Sequence, residues 1–184
     1  MNLLDGTTDF SGDWVNSSGW VTDGTYKGII DKQRTNKWLG IYKVFTAPKD
    51  GNYTFSAYVK TSGDNANAFR YAYVNDLSIN NIIPNKLIGN NIDWLRDSLT
   101  VTLKAKDKVH VKYEITGSGT DSILWTAGHK WEEGSTATPY MPSSSEVIKR
   151  DYPSYIGNYT GKIVDGQSTN PVKYLSLIHI SEPT

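Results

Sequence analysis

The chain of 184 residues contains no cysteine. That excludes disulfides and thiolate chemistry, and it fits many compartments without selecting one. There is no excess of charge of either sign. Lysine plus arginine and aspartate plus glutamate both number 19, so the formal net charge is zero. A polyanion-binding protein is therefore not expected, because phosphate binding is driven by concentrated positive charge. No basic run or acidic tail is present. No apolar run approaches the roughly 20 residues of a membrane span. The segment Met1–Gly6 lacks a basic region and a long apolar core, so no signal peptide is read there. An amphipathic helix of useful length is also missing, which argues against a βαβ enzyme fold. No glycine-rich phosphate loop precedes a helix.

What is present is turn signal and aromatic residue. Glycine numbers 16, tyrosine 12 and tryptophan 6. Residues 5–24 are turn-rich and are punctuated by Trp14 and Trp20. Strands are then expected at Tyr26–Asp31, Trp38–Thr46, Asn52–Lys60, Phe69–Asn75, Trp94–Leu103, Val109–Ile115 and Ser122–Glu133. Asn2-Leu3-Leu4 reads as an edge strand, and 76–93 as a long Asn-rich connection. The alternation is clear. Tyr53, Phe55, Ala57 and Val59 share one face of their strand; Leu95, Leu99, Val101 and Leu103 share another, and Val109, Val111, Tyr113 and Ile115 a third. Eight or nine alternating strands with regular turns predict an all-β sandwich or jelly roll with an irregular C-terminal extension. Trp14 and Trp131 read as core, while the side taken by Trp125 is left open by a possible bulge at Ala127-Gly128.

The closing stretch His129–Pro142 reads as a strand end, a turn at Gly134 and an extended exit held by Pro139 and Pro142. Taken in order, Asn2-Leu3-Leu4, Tyr53–Lys60, Trp94-Leu-Arg-Asp-Ser98 and Lys130–Pro139 resemble the carbohydrate-binding jelly-roll modules of tail, baseplate and host-recognition proteins from phages and prophages of Gram-positive bacteria. The resemblance spans about residues 1–142, with Trp131 where those modules more often carry leucine and His129 where they more often carry an aliphatic residue. It implies a galactose-binding-like sandwich that adheres to cell-surface or cell-wall polysaccharide. Its partners would be that glycan and other tail subunits, its setting the virion or the cell exterior. Residues 143–174 read as a linker and the start of a further segment, of which Asp151–Gly157 and Asp165–Pro171 resemble the connection that follows such modules. Leu175–Thr184 resembles a translated sequencing adapter and is set aside, so the gene is expected to run on past Tyr174.

Sugar binding needs flat aromatic faces and a few planar polar groups. Outward parity on their strands nominates Trp94, Tyr58 and Arg96. Tyr71 and Tyr73 share a face with Phe69 and read equally well as core. Trp38 and Trp20 flank loops and are candidates for a groove rim, against the alternative of capping the sandwich end. No cofactor is required. The resemblance brings in a structural calcium, with Glu132 and Asp5 as the oxygen donors to consider. The competing reading of Glu132 is a carboxylate paired with a nearby lysine. Catalysis has little support. His129 and Glu132 fall on opposite strand faces and make no zinc pair, and Asp97 and Glu114 do not face each other as a glycosidase pair would. The alternatives to host adhesion are an accessory module of a polysaccharide-degrading enzyme and a purely structural tail domain.

Overall fold

The computed structural model describes residues 1–63, 66–75, 83–117 and 121–147. The expectations for 148–184, including the further segment and the adapter-like tail, lie outside these residues, as do those for 64–65, 76–82 and 118–120. Nine strands are formed among the described residues: β1 (Val21–Tyr26), β2 (Ile29–Arg34), β3 (Phe45–Thr46), β4 (Gly51–Ser62), β5 (Ala66–Val74), β6 (Lys86–Gly89), β7 (Leu95–Leu103), β8 (Lys108–Gly117) and β9 (Ile123–Glu133). They make two antiparallel sheets, one of five strands in the order β1-β2-β9-β4-β7 and one of four in the order β3-β8-β5-β6. This is a jelly-roll sandwich.

Alternation builds the core. Tyr53, Phe55, Ala57 and Val59 of β4 meet Val109, Val111, Tyr113 and Ile115 of β8, and all eight are buried. Trp131 is fully buried and stacks on Phe45 with centroids 5.1 Å apart. Trp14, at 5% exposed, joins the same core.

β9 changes parity part-way. Tyr58 pairs with Ala127, yet Ser56 pairs with Lys130, so β9 carries one extra residue. Gly128, at φ 59°, sits in this bulge and supplies the left-handed conformation that a β-bulge requires. Before it Leu124 faces the core and Trp125 faces out; after it His129 and Trp131 face in, and Lys130 and Glu132 face out. The bulge therefore settles Trp125 on the outer side, where its indole Nε1 donates to Asp23 (2.8 Å).

Three expected boundaries shift. The expected strand Tyr26–Asp31 is split by a hairpin turn, because Lys27 and Gly28 both take positive φ (52° and 77°), the two-residue turn that suits strand twist; Tyr26 ends β1 and Ile29–Asp31 open β2. Only Phe45–Thr46 of the expected strand Trp38–Thr46 is regular, since Trp38 and Leu39 leave the extended region at φ 57° and 52°. The connection 76–93 contains β6.

The N-terminus closes the sandwich through one side chain. Asn2 donates from Nδ2 to His129 O (3.0 Å) and Thr7 Oγ1 (2.9 Å), while its Oδ1 accepts from the Leu4 and Trp131 amides (3.0 and 3.1 Å). Leu3 and Leu4 are thereby seated without forming a regular edge strand. Residues 143–147, read from sequence as the start of a linker, are tied to the same end: Ser143 bridges Asn2, and Glu146 Oε1 accepts from the Thr8 amide (2.8 Å).

Candidate functional site

The outer face of the four-stranded sheet is set by the β5–β8 register. Phe69, Tyr71 and Tyr73 lie opposite Glu114, Lys112 and His110. The intervening Ala68, Arg70 and Ala72 turn to the core. Tyr71 and Tyr73 are thus outward residues, not core. They do not act alone. The His110 imidazole stacks on Tyr42 (centroids 4.0 Å, 17° between planes) and on Tyr73 (4.9 Å, 27°), giving a ladder of three rings across the sheet. Beside it, Lys112 Nζ lies 5.3 Å from the Tyr73 centroid and 2.7 Å from Glu114 Oε1. Burial, reinforced by the Glu114 charge and by Tyr73, raises the Tyr71 hydroxyl above its ordinary pKa, so it remains a donor as well as an acceptor. Half-buried rings interleaved with an ion pair and a phenol are the mixed apolar and polar surface that a sugar requires.

The rim of this face is built with unusual care. Trp38 and Leu39 are 53% and 55% exposed although both are bulky and left-handed. Such conformations cost on the order of 1–3 kcal/mol each and persist only where the surroundings impose them. Here they are imposed from below. Arg34 donates to the carbonyls of Lys37 (3.2 Å) and Trp38 (2.9 Å), Trp20 Nε1 donates to Leu39 O (2.9 Å), and the Gly40 amide donates to Glu114 Oε1 (3.0 Å). Gly40 has no room for a side chain: a Cβ would lie 2.5 Å from Tyr113 O and 2.9 Å from Lys112 Cβ. The segment is pressed against β8, where the Trp38 amide donates to Ile115 O (3.2 Å), and it carries an exposed tryptophan. Trp20, expected as a possible rim residue, is instead 3% exposed in the core. Its ring packs in the core while its N–H holds the Leu39 carbonyl of the segment that exposes Trp38.

The remaining candidates lie on the other sheet. Trp94 stacks on Tyr26 (4.4 Å, 16°), Tyr26 meets Tyr58 edge-on (5.0 Å), and the Arg96 guanidinium lies 4.7 Å above the Tyr58 ring. Tyr58 is only 7% exposed, because Ile29, Ala127, Tyr26, Trp94 and Tyr140 pack around it as a second apolar cluster. The seven nominated residues thus separate into two faces and one core position, rather than one groove.

Glu132 and Asp5, the oxygen donors considered for calcium, are each engaged by protein partners. Burial pushes the Glu132 carboxyl up, but hydrogen bonds from Thr138 and Lys130 outweigh it and hold it below its ordinary value. Its oxygens accept from Lys130 Nζ (2.9 Å), Thr138 N (2.8 Å) and Thr138 Oγ1 (2.6 Å), so an ammonium already sits where a cation would. Asp5 Oδ1 accepts from Ser145 (2.6 Å). Among the described residues no three His, Cys, Asp or Glu side chains gather in a way that would hold a metal. Asp97 lies inside the sandwich, bound by Arg70, Lys86 and Tyr113, and Glu114 lies outside it. They are not a facing carboxylate pair.

The sequence matches no family model and no curated protein. Among solved structures the chain is similar to one described as "Family 16 Carbohydrate Binding Module-2", with a TM-score of 0.52 at 14% identity, over 72% of this chain and 100% of that one. The shared architecture is a jelly-roll sandwich. A second similar structure is TmCBM61 in complex with beta-1,4-galactotriose, with a TM-score of 0.52 at 9% identity, over 73% of this chain and 99% of that one. At such identities the likeness speaks for architecture, and the binding residues must be argued from this chain.

Proposed function

We propose that this protein is a non-catalytic carbohydrate-binding module, and that it holds a polysaccharide across the outer face of the four-stranded sheet. The observation that carries the reading is the outward Tyr42–His110–Tyr73 ladder on β8 and β5, with the exposed Trp38 held in a strained backbone on the segment bonded to the Ile115 end of the same β8. A fixed aromatic surface loses little entropy when a sugar settles on it, so stacking is converted into affinity. The two similar solved structures support the class, since one is described as a carbohydrate binding module and the other is in complex with beta-1,4-galactotriose.

The ordered motifs favour a phage tail or baseplate as the setting, with glycan of a Gram-positive cell surface as ligand and other tail subunits as neighbours. An accessory module of a polysaccharide-degrading enzyme would use the same face. Retention of the intact chain in gels containing isolated cell-wall polysaccharide or plant β-glycans tests the function and separates the settings. Trp38→Ala and Tyr73→Ala are each expected to weaken retention about fivefold to tenfold, the equivalent of ~1 kcal/mol per lost aromatic contact. Absence of retention on every glycan would sink the reading. Retention that both variants leave untouched would move the site elsewhere.

A further inference from the structure

The second aromatic cluster, on the outer face of the five-stranded sheet, has a feature that packing does not explain. Tyr26 ends β1 and Trp94 immediately precedes β7, at opposite edges of the sheet. Their rings nevertheless stack, above a floor made low by Ala127 and Gly128 of β9. Two cations approach the same cluster. Lys27 Nζ is 5.2 Å from the Tyr58 centroid and 5.6 Å from that of Tyr26, and Arg96 Cζ is 4.7 Å from that of Tyr58. Neither forms an ion pair among the described residues.

The carboxylates of this face are committed to other groups. Asp31 accepts from the Gly24 amide, Asp23 from Gln33 and Trp125, Glu132 from Lys130 and Thr138, Asp93 from the Trp94 amide, and Glu146, whose charge reaches Tyr140, from Thr8 and Ser143. Arg96 donates from Nη2 to Ser56 Oγ (2.6 Å) and Thr138 O (3.2 Å), while its buried Nε and Nη1 have no partner. Lys27 and Arg96 thus place two like charges, in no ion pair among the described residues, beside one ring of a chain with zero net charge. Exposed at the turn tip, Lys27 is available for direct contact, and Arg96 adds its field from behind Tyr58.

We propose that this cluster is a second binding site, separate from the Trp38 face, and that it takes an anionic unit of a glycan: a sugar carboxylate or a polyol phosphodiester. The C–H face of the sugar, or the carbon chain of the polyol, rests on the Trp94–Tyr26 pair, and its anion meets Lys27. The site needs neither the Trp38 rim nor the ring ladder, so it stands or falls apart from the function proposed above.

The test is gel retention of the intact chain on three polymers: polygalacturonate, its fully methyl-esterified form, and poly(glycerol phosphate). Retention is expected on polygalacturonate or poly(glycerol phosphate) and not on the esterified polymer. Whichever anionic polymer retains the chain identifies carboxylate or phosphodiester as the source, and retention on both assigns a general anion site. Lys27→Glu should weaken it at least about tenfold, a typical cost of reversing a contact charge. Lys106→Glu, the same charge change on a remote turn, should leave it intact, as should Tyr73→Ala. Trp94→Ala should weaken it too, and if that variant does not fold, Lys27→Glu on its exposed turn still decides. The proposal is overturned by no retention on either anionic polymer, by equal retention on the esterified one, or by equal losses in Lys27→Glu and Lys106→Glu.

Discussion

His129 shows how one side chain ties acidity to stability. Its ring is fully buried and edged by Trp14 (5.3 Å), Phe55 (5.4 Å) and Phe10 (5.8 Å), with a single polar contact, Thr126 Oγ1 at 2.8 Å from Nε2. Burial lowers its pKa from 6.5 to about 3. The unfolded chain therefore takes up a proton between those values that the folded chain refuses, and stability falls as the pH drops from 6.5 toward 3. The slope from this group is about 1.4 kcal/mol per pH unit. His129→Gln removes the titration, so urea midpoints of the variant should depend less steeply on pH in that window than those of the parent. Parallel pH profiles would show that the histidine is not the acid-sensitive group. Asn2 has the same singular character: it must donate to His129 O and Thr7 and accept from Leu4 and Trp131. Only a side-chain amide does both. This explains in physical terms why an Asn-Leu-Leu start and a His-Lys-Trp close belong together.

At the scale of elements, the rim segment 37–40 depends on Arg34 of β2. Its guanidinium is held by the carbonyls of Gly19, Lys37 and Trp38, at 2.7, 3.2 and 2.9 Å. Arg34→Met keeps the stem and strips those carbonyls of their donors, a loss of about 2–3 kcal/mol in stability. Glycan retention should fall to the level of Trp38→Ala, and the double variant should fall little further, because both changes remove the same presented ring. Additive losses in the cycle would show that Arg34 acts elsewhere. Little of this rim was legible in the sequence. Trp38 was nominated, but its segment read as a strand, since no composition signal marks Trp-Leu as left-handed. The long strands were legible because their apolar residues keep period two: β4, β7 and β8 carry the faces that their alternation predicts. The ring ladder was not, because Tyr42 and His110 meet only after β3 and β8 are in register. The signal for it was the shared outward parity of Tyr42 and Val44 beside the buried Phe45. The β1–β2 hairpin escaped because Lys27-Gly28 is a weaker turn signal than Asp23-Gly24, which instead falls at an irregularity within β1.

Across the described sandwich, two outer sheet faces enclose the main core, and the exit segment is fastened to one of them by a buried ion pair. Lys130 is fully buried on the outer side of β9, bonded to Glu132 Oε2 (2.9 Å), Thr138 Oγ1 (2.5 Å) and Pro139 O (3.0 Å). Arg96 reaches Thr138 O, and Thr100 reaches Ser135 O (3.3 Å), so residues 135–139 run across the face as a strap. Tyr140 then packs into the second aromatic cluster, where its hydroxyl contacts Thr7 (3.0 Å) and Thr8 (3.1 Å). Removing one partner of a buried pair leaves an uncompensated charge and costs about 3–5 kcal/mol, whereas replacing both with apolar groups of similar volume is often neutral. Lys130→Met alone should therefore be severely destabilised in urea, and Lys130→Met with Glu132→Leu should recover most of the loss. The recovered double variant still lacks the bonds from Lys130 and Glu132 to Thr138 and Pro139. Its strap should be cut by protease faster than that of the parent while the sandwich stays folded, and its retention on the Trp38 face should be unchanged. A double variant as unstable as the single one would mean that the pair holds the sheet itself. A strap no more cleavable than before would mean that Tyr140 and the Arg96 contact suffice to hold it.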